Sequence, residues 1–471
     1  MERVFAPKAG HVPSIPNLSP AELNSLRQIF DSHGYAGDNL SRDGGAPDIL
    51  GKLFTHNEAV DFDIAAQTFR PLELDKLIGS GLLYEANGNI KTHFQAQPYQ
   101  GLIFFSDFFQ WESAHDFVLP IGPAGHYLAL LTIRRQVEST LDIGCGCGIQ
   151  SLLAARHSQK VIATDINPRA LALTRFNAEL NGLHNIETLE GSYLEPVKGR
   201  SFDLIIANLP YVIAPETRMI YRNVNQPGDA GIHELLNQIP DRLTEGGLAQ
   251  ILINWVHGID QDPSEPIRKT IANKHVDTWL IHNGSKRPYE YAEMWLKHQN
   301  HDDPRKFGKT KQSWLRWYRN HHIDRIALGA ITLRRRSTDQ NWFCSAIVNK
   351  TLEDPAGEQF LRLFNAQDYL SRMESPDILL NELFTAINLD FAGDENQPIA
   401  YANHGLQFEA KIQAISMAVI QKLDGTISLE KAIQTVSQQS GLTANKIQAN
   451  VLVDFRKLLE LGMVLPSSAK K

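Results

Sequence analysis

The stretch Leu141-Asp142-Ile143-Gly144-Cys145-Gly146-Cys147-Gly148 decides the fold of this chain. Residues 140–143 have the apolar pattern of a short buried strand, and residues 149–157 have that of a helix. Glycines between a strand and a helix let a ligand approach the backbone, and the start of the helix offers free N–H groups. Asp165 ends the next apolar run, where an acid accepts hydrogen bonds from ribose hydroxyls. The stretch therefore predicts a nucleotide-like cofactor on an α/β sheet.

The segments around this loop alternate between strand and helix patterns. Further strands are predicted over 161–165, 186–189, 202–207 and 248–253, with a helix over 169–181 that ends at Gly182. This alternation predicts a parallel sheet with helices on both faces. Two more runs, 276–281 and 326–333, are expected to complete the sheet as edge strands, with an insertion at about 285–322 between them.

The two flanking regions have different patterns. A helix is predicted over 20–31, a second over 71–78, and a hairpin at Asn87-Gly88, which together resemble a winged-helix arrangement. Its recognition-like helix is not basic, which favours protein packing or substrate gripping over DNA reading. Residues 405–466 read as helices and a short hairpin, a second small helical or winged domain. The predicted domains are 1–112, 113–345 and 346–471.

Composition narrows the class of protein. The 471 residues carry a net charge of −7 and three cysteines, Cys145, Cys147 and Cys344. The charge argues against nonspecific coating of nucleic acid. Three cysteines make neither a disulfide framework nor a zinc site, so we predict no metal and a reducing, cytoplasmic setting. No apolar run reaches the ~20 residues of a membrane helix. The N-terminus lacks an apolar signal core.

A second motif, Asn208-Leu209-Pro210-Tyr211, follows the predicted strand 202–207 at its carboxyl end. Ligands of open α/β sheets bind at that edge. A planar NH₂ group is a poor nucleophile, so it needs acceptors that hold its hydrogens and direct its lone pair. An Asn side-chain oxygen and a backbone carbonyl provide them, an aromatic ring stacks on the planar group, and proline fixes the backbone direction. The motif predicts chemistry at a nitrogen atom.

The acidic-x-Gly-x-Gly-x-Gly pattern that begins at Asp142 resembles motif I of class I S-adenosylmethionine-dependent methyltransferases. The resemblance extends over about 115–255, and more loosely to 335. It implies a Rossmann-like methyltransferase sheet between the flanking domains and S-adenosyl-L-methionine as cofactor. Ser192 stands where many members carry an acid beside adenine. The implied cofactor-binding residues are Asp142, Gly144, Cys145, Gly146, Gly148, Asp165, Ile166, Ser192, Tyr193 and Asn208.

The second motif resembles the Asn-Pro-Pro-Tyr signature of N-methyltransferases, which include release-factor glutamine enzymes and RNA and DNA base enzymes. The resemblance implies that Asn208 and the Leu209 carbonyl grip the acceptor nitrogen and that Tyr211 stacks on it. The implied catalytic residues are Asn208, Pro210 and Tyr211. The chain departs from the signature at Leu209, which replaces the first proline and leaves the acceptor open.

We predict methylation of a planar amide or amine on a protein or peptide. The alternatives are an RNA or DNA base, a small molecule, a non-catalytic cofactor-binding scaffold, and a nucleic-acid-binding protein that uses its winged domains. The basic and aromatic residues of 305–336, which include Arg334-Arg335-Arg336, can grip phosphates and favour an RNA or DNA base as the acceptor. An amphipathic helix explains the same residues. Residues 225–229 are a candidate lid, and Asn254-Trp255 a candidate substrate wall. The oligomeric state stays open.

Overall fold

The computed structural model describes residues 12–35, 49–109, 114–215, 228–297, 304–348, 350–375, 377–394 and 397–467. The chain divides into two compact units. The first contains residues 1–129 and 135–347, and the second contains residues 130–134 and 348–471. Among the described residues, no helix is both long and apolar enough to cross a lipid bilayer.

The first unit opens with small helices and hairpins. Helix α1 begins with a capping box in which Ser19 and Glu22 bond each other's backbone N–H, with Pro20 in its first turn. The predicted hairpin forms around Asn87-Gly88, with Leu83 opposite Thr92. A winged-helix assignment for this region stays a prediction. The elements are α1 Pro20–Ser32, a π-helical turn Gly51–Thr55, β1 Val60–Asp61, α2 Phe62–Thr68, α3 Leu74–Gly79, β2 Leu83–Ala86, β3 Asn89–Thr92, β4 Phe94–Tyr99 and β5 Leu102–Asp107.

An eight-stranded sheet forms the centre of the first unit. Its strands are β6 Val137–Ile143, β7 Ser158–Asp165, β8 Ile186–Glu190, β9 Phe202–Ala207, β10 Leu243–His257, β11 Val276–Lys286, β12 Arg325–Arg335 and β13 Phe343–Ile347. Their order is β13-β11-β12-β10-β9-β6-β7-β8. The five strands from β10 to β8 are parallel, as predicted.

Beyond those five strands the sheet departs from the prediction. Strand β12 runs antiparallel to both β10 and β11, so the sheet is mixed. The predicted edge strands β11 and β12 are interior, because β13 pairs with β11 and takes the edge. The prediction of a wholly parallel sheet ending in these two strands was therefore wrong. Strand β12 follows α10 after a short loop and runs back along β10 and β11. Its hydrogen bonds to both neighbours therefore have the antiparallel pattern.

Helices connect the parallel strands, as the alternating pattern predicts. Asn167 caps α6 by accepting a hydrogen bond from the Arg169 N–H at 3.0 Å, and Pro168 supplies the preset first turn. Asn177 on α6 exchanges two hydrogen bonds with the backbone of Phe105 on β5. These bonds join strand β5 to helix α6. The helices are α4 Pro123–Leu131, α5 Ile149–Ala155, α6 Pro168–Leu180, α7 Ala230–Gln238 and α8 Glu265–Ile271, with 3₁₀ turns at Glu195–Val197 and Ile239–Arg242.

The insertion between β11 and β12 is a pair of helices, α9 Pro288–Lys297 and α10 Pro304–Asn320. Both are amphipathic, and their apolar faces form a separate core. That core contains the buried side chains of Tyr291, Trp314 and Tyr318 together with Ile213 from the loop after β9. The insertion is thus packed against the segment that follows Asn208-Leu209-Pro210-Tyr211.

The second unit has more strands than the sequence predicts. The predicted helices over 405–466 are present, but the meander β15-β16-β17 was not expected. Its first strand, β15, is mostly exposed, and β17 has only three residues, so neither has an apolar run that would predict a strand. The elements are α11 Gly357–Arg372, α12 Ile378–Asn381, β14 Leu383–Ala386, β15 Leu389–Asp394, β16 Gln397–Ala402, β17 Glu409–Lys411, α13 Ala414–Ile420, β18 Asp424–Ser428, α14 Leu429–Ser440, α15 Ala444–Glu460 and β19 Val464–Pro466.

Candidate functional site

Strand register brings the predicted site segments to one edge of the sheet. Ile143, the last residue of β6, lies opposite both Thr164 on β7 and Ala207 on β9. Asp165 at the end of β7 lies opposite Glu190 at the end of β8. The glycine loop, Asp165 and the Asn208 motif therefore leave neighbouring parallel strands at the same level. This is the edge at which open α/β sheets bind ligands.

The glycine loop turns sharply over the ends of β6 and β7. Gly144, Gly146 and Gly148 have φ values of 74°, 56° and 87°, a left-handed conformation that favours glycine. The N–H groups of Gly144 and Cys145 donate to the Thr164 carbonyl at 2.8 and 3.0 Å. A Cβ built on Gly146 would meet no atom within 4 Å, whereas one on Gly148 would lie 2.9 Å from Leu152 Cδ1. The hydrogen bonds to Thr164 thus hold the start of the loop, and the space beside Gly146 is open.

Asp165 holds the loop and the next helix at once. Its Oδ2 accepts from the Gly146 N–H at 3.0 Å, and its Oδ1 accepts from the Asn167 N–H at 2.9 Å. Burial raises the pKa of this carboxyl, and the backbone hydrogen bonds oppose that rise. Ile166, which follows it, is 53% exposed. Each carboxylate oxygen keeps a lone pair that can accept from a further donor, such as a ribose hydroxyl.

Asp142 is placed differently from the rest of the predicted set. Its side chain is 1% exposed and lies beneath the loop, where Ser151 on α5 donates to Oδ2 at 2.5 Å. Burial raises the pKa of this carboxyl to about 7. The described structure thus gives Asp142 a supporting position between β6 and α5, and its direct contact with a cofactor stays a prediction.

The two loop cysteines are free and buried. Burial raises the pKa of the Cys147 thiol to about 12 and that of the Cys145 thiol well above its ordinary value. Thr174 Oγ1 lies 3.4 Å from Cys145 Sγ and donates to the Gly146 carbonyl at 3.1 Å. Both thiols are therefore protonated packing groups, since the thiolate is the reactive form.

Ser192 and Tyr193 lie on the turn after β8, and both are half-buried. The turn is tied to β7 because the Gly191 N–H donates to the Asp165 carbonyl at 3.0 Å. Tyr193 has a φ of 47°, and burial raises the pKa of its phenol. The predicted adenine-flanking residues therefore stand beside Asp165, on the side of the sheet edge away from Asn208.

Asn208, Leu209, Pro210 and Tyr211, with the residues up to Ile213, form the loop after β9, which we call the acceptor loop. Asn208 is half-buried, and its side chain forms no hydrogen bond to any other described residue. Leu209 is buried against the glycine loop, since a Cβ on Gly144 would lie 2.9 Å from Leu209 Cδ2. Burial raises the pKa of the Tyr211 phenol to about 12. The Tyr211 ring lies 6.2 Å from that of Trp295.

Two phenols of the insertion support the end of this loop. The Ile213 N–H donates to the Tyr291 hydroxyl at 3.1 Å, and the Tyr318 hydroxyl donates to the Ile213 carbonyl at 2.8 Å. Asn254 Nδ2 donates to the same Tyr291 hydroxyl at 2.7 Å. Sequence reasoning missed Tyr291, and considered Asn254 only as a substrate wall. The aromatic residues of the insertion were the signal available in the sequence. They do not reveal that Tyr291 bonds Ile213, which lies 78 residues away.

The remaining sequence candidates fall outside this group. Trp255 is fully buried and donates to the Pro263 carbonyl at 2.6 Å, which makes it a packing residue. Arg334 and Arg336 pair with the buried carboxylate of Asp277 at 2.6 and 3.3 Å. Of the candidate lid, residues 225–227 lie outside the described residues. Asp229, at the end of the candidate lid, accepts a hydrogen bond from the Val256 N–H on β10 at 2.7 Å.

Comparison with known proteins identifies the part of the chain that contains this site. The sequence model of the family described as methyltransferase small domain matches residues 124–273. This segment contains the glycine loop, Asp165 and the acceptor loop. The predicted resemblance to class I methyltransferases, a family that uses S-adenosylmethionine, is thereby confirmed for this segment.

Three relatives each match about a quarter of the chain. A Methanocaldococcus jannaschii protein named as a protein N5-glutamine methyltransferase is 34% identical over 128 residues, 26% of this chain and 64% of the relative. The ribosomal protein L11 methyltransferase of Clostridium botulinum is 31% identical, over 25% of this chain and 39% of the relative. The release factor glutamine methyltransferase of Yersinia pestis is 37% identical, over 24% and 46%. The chain spans less than two thirds of the length of each relative.

Proposed function

We propose that this protein is an S-adenosylmethionine-dependent methyltransferase that methylates a planar amide nitrogen on a protein. One observation carries the proposal: Gly144 and Asn208 follow the paired residues Ile143 and Ala207, so the glycine loop and the acceptor loop leave adjacent strands side by side. Leu209 packed against Gly144 fixes their separation. A cofactor over the first loop therefore meets an acceptor held by the second.

The residues present fit this cofactor. The open side of Gly146 leaves room beside the loop, because a Cβ there would touch nothing within 4 Å. Asp165 is oriented by two backbone N–H groups, so its remaining lone pairs suit ribose hydroxyls. Ile166 exposes an apolar side chain next to it, and Ser192 and Tyr193 stand beyond, where an adenine ring would lie. When bound, the cofactor supplies a methyl group on a sulfonium, which makes that carbon electrophilic.

The acceptor loop then acts by positioning. The side-chain oxygen of Asn208 and the carbonyl of Leu209 accept the two hydrogens of the amide NH₂, which turns the nitrogen lone pair towards the methyl carbon. A carbon–nitrogen bond forms as the carbon–sulfur bond breaks, and the nitrogen releases one proton to water. The Tyr211 phenol, with its pKa raised to about 12, stays neutral and offers its ring as a stacking face. Holding the two reacting atoms together supplies most of the rate gain.

A protein amide is the acceptor that the similar proteins favour. Two of the three relatives are named as glutamine methyltransferases, and a third as a methyltransferase of a ribosomal protein. A glutamine side chain presents the planar NH₂ group that the acceptor loop is suited to hold. We therefore propose glutamine as the methylated residue.

The test is incubation of the full chain with methyl-tritiated S-adenosylmethionine and separate cellular protein, RNA and metabolite fractions. We expect label in protein, and methylated glutamine after digestion and mass spectrometry. Asn208→Ala should lower the rate about 100-fold, the size expected for a lost positioning contact, while Asn445→Ala, on the exposed face of α15, should leave it unchanged. Label confined to RNA or metabolites would refute the protein acceptor, and absence of label from all three would refute the enzyme.

A further inference from the structure

The outer face of α10 differs in charge from the rest of the molecule. Helix α10 contains six lysines and arginines and no Asp or Glu, although the chain as a whole has a net charge of −7. Lys309, Arg316 and Arg319 are exposed and follow each other at helical spacing on one side of the helix. We call these three residues the cationic face.

The part of the chain that the structure describes offers the cationic face no carboxylate partner. Lys309, Arg316 and Arg319 form no ion pair with any residue in the described ranges, whereas Lys311 on the same helix pairs with Glu293 at 2.8 Å. Arg334 and Arg336, which belong to the same basic stretch of sequence, are occupied by Asp277. Like charges on one face repel one another, and an anionic partner compensates this repulsion. The three cations of this face are therefore available to an external anion.

An aromatic surface borders this face. Trp317 is half-buried, and its ring lies 4.3 Å from that of the exposed His321, at an interplanar angle of 32°. Cations next to accessible aromatic rings are the combination by which proteins hold single-stranded nucleic acid, since phosphates pair with the cations and bases stack on the rings. An acidic peptide would use the cations and leave the rings without a role.

The opposite side of α10 reaches the acceptor loop. Tyr318, adjacent in sequence to Trp317 and Arg319, donates its hydroxyl to the Ile213 carbonyl. A helix with its side chains is about 10 Å across. A strand bound on the cationic face therefore lies about one helix diameter from the acceptor loop. At 1.5 Å per residue, Lys309 to Arg319 spans roughly 15 Å, the rise of four or five nucleotides.

We propose that the cationic face and the Trp317–His321 ring pair bind single-stranded RNA, which brings RNA-associated substrates to the acceptor loop. This inference concerns binding and does not depend on which nitrogen is methylated. RNA binding and methyl transfer are measured separately, so either one can fail alone.

The test is fluorescence anisotropy of the full chain with a labelled 12-nucleotide RNA over a series of salt concentrations. Each phosphate contact in a single strand contributes about 0.7 to the slope of log K against log salt. Lys309→Gln/Arg316→Gln/Arg319→Gln should therefore lower the slope by about 2. The matched control Lys422→Gln/Lys446→Gln/Lys457→Gln, which removes three exposed lysines from the second unit, should leave it unchanged.

Trp317→Leu separates nucleic acid from an acidic protein partner. We expect this variant to bind the RNA about 10-fold more weakly, as lost base stacking predicts, and to bind poly-glutamate as the parent chain does. Isothermal titration with S-adenosylmethionine checks that both variants keep their site. Absence of RNA binding by the parent chain, equal slopes for the two triple variants, or equal affinity for RNA and poly-glutamate would overturn the proposal.

Discussion

Tyr291→Phe tests whether the insertion holds the acceptor loop. The substitution keeps the ring in its core and removes one hydroxyl oxygen. That oxygen accepts from the Ile213 N–H at 3.1 Å and from Asn254 Nδ2 at 2.7 Å. Ile213 and Asn254 are both buried, so water does not replace the lost acceptor without local opening. The acceptor loop should open more often, while the glycine loop, which is held by Thr164 and Asp165, should not change.

The size of the effect follows from the lost hydrogen bonds. A buried donor left without an acceptor costs about 1–3 kcal/mol. If about 1–2 kcal/mol of this cost falls on the opening of the acceptor loop, the open fraction rises roughly 5- to 30-fold. Because catalysis depends on positioning, we expect turnover to fall by a similar factor, with the affinity for S-adenosylmethionine within about twofold of the parent chain.

Hydrogen–deuterium exchange measured by mass spectrometry gives the direct readout. Peptides that cover residues 208–215 should exchange roughly 5- to 30-fold faster in Tyr291→Phe, whereas peptides that cover 141–150 should be unchanged. Tyr289→Phe is the matched control, because it removes an exposed hydroxyl from the same helix. If residues 208–215 exchange at the same rate in both variants, the insertion does not hold the loop and the reasoning is refuted.

Three further substitutions probe the cofactor side. Gly144→Ala should weaken S-adenosylmethionine binding at least 10-fold in isothermal titration, because Gly144 has a φ of 74° and a Cβ there would lie 2.9 Å from Leu209 Cδ2. The control Gly182→Ala, at a φ of 67° with open space around it, should leave binding unchanged. Asp165→Asn removes the charge that accepts two backbone hydrogen bonds and should weaken the same binding about 10- to 100-fold; unchanged binding would exclude it from the site. Burial raises the folded-state pKa of Asp142 to about 7. The free energy of unfolding should therefore fall by about 4 kcal/mol as pH rises from about 4 to about 7. In melts at a series of pH values, Asp142→Asn should flatten that slope. An equal slope in parent and variant would show that Asp142 does not titrate as its burial requires.

The parallel half of the sheet was predictable because its strands are buried on both faces and read as continuous apolar runs. Residues 202–207 and 140–143 are of this kind, and the ends of the predicted parallel strands lie zero to five residues from the observed ends. Strand β13 was missed because Phe343–Ile347 alternates half-buried and exposed residues at the sheet edge. The direction of β12 was not predictable either, since this antiparallel strand has a buried apolar run like those of the parallel strands.

The site residues that follow the ends of strands could be predicted from the sequence. The direction in which a side chain within a strand points could not. Gly144, Asp165 and Asn208 follow buried strands, so their meeting at one edge follows from the topology alone. Asp142 sits within β6, and alternation along the strand turns its carboxylate inwards to Ser151. The support from Tyr318 spans 105 residues, a distance over which a single sequence gives no pairing signal.

The phenols on Ile213 also bear on where this domain can be cut. The family match ends at residue 273, and Tyr291 and Tyr318 lie beyond that boundary. A protein shortened to the matched residues would keep every motif residue of the site and lose both supports of the loop that presents the acceptor. Shortened forms that end before Tyr291 lose both phenols, and we expect them to bind the cofactor but to fail at transfer. The segment needed for the proposed transfer is then longer than the segment that matches the family.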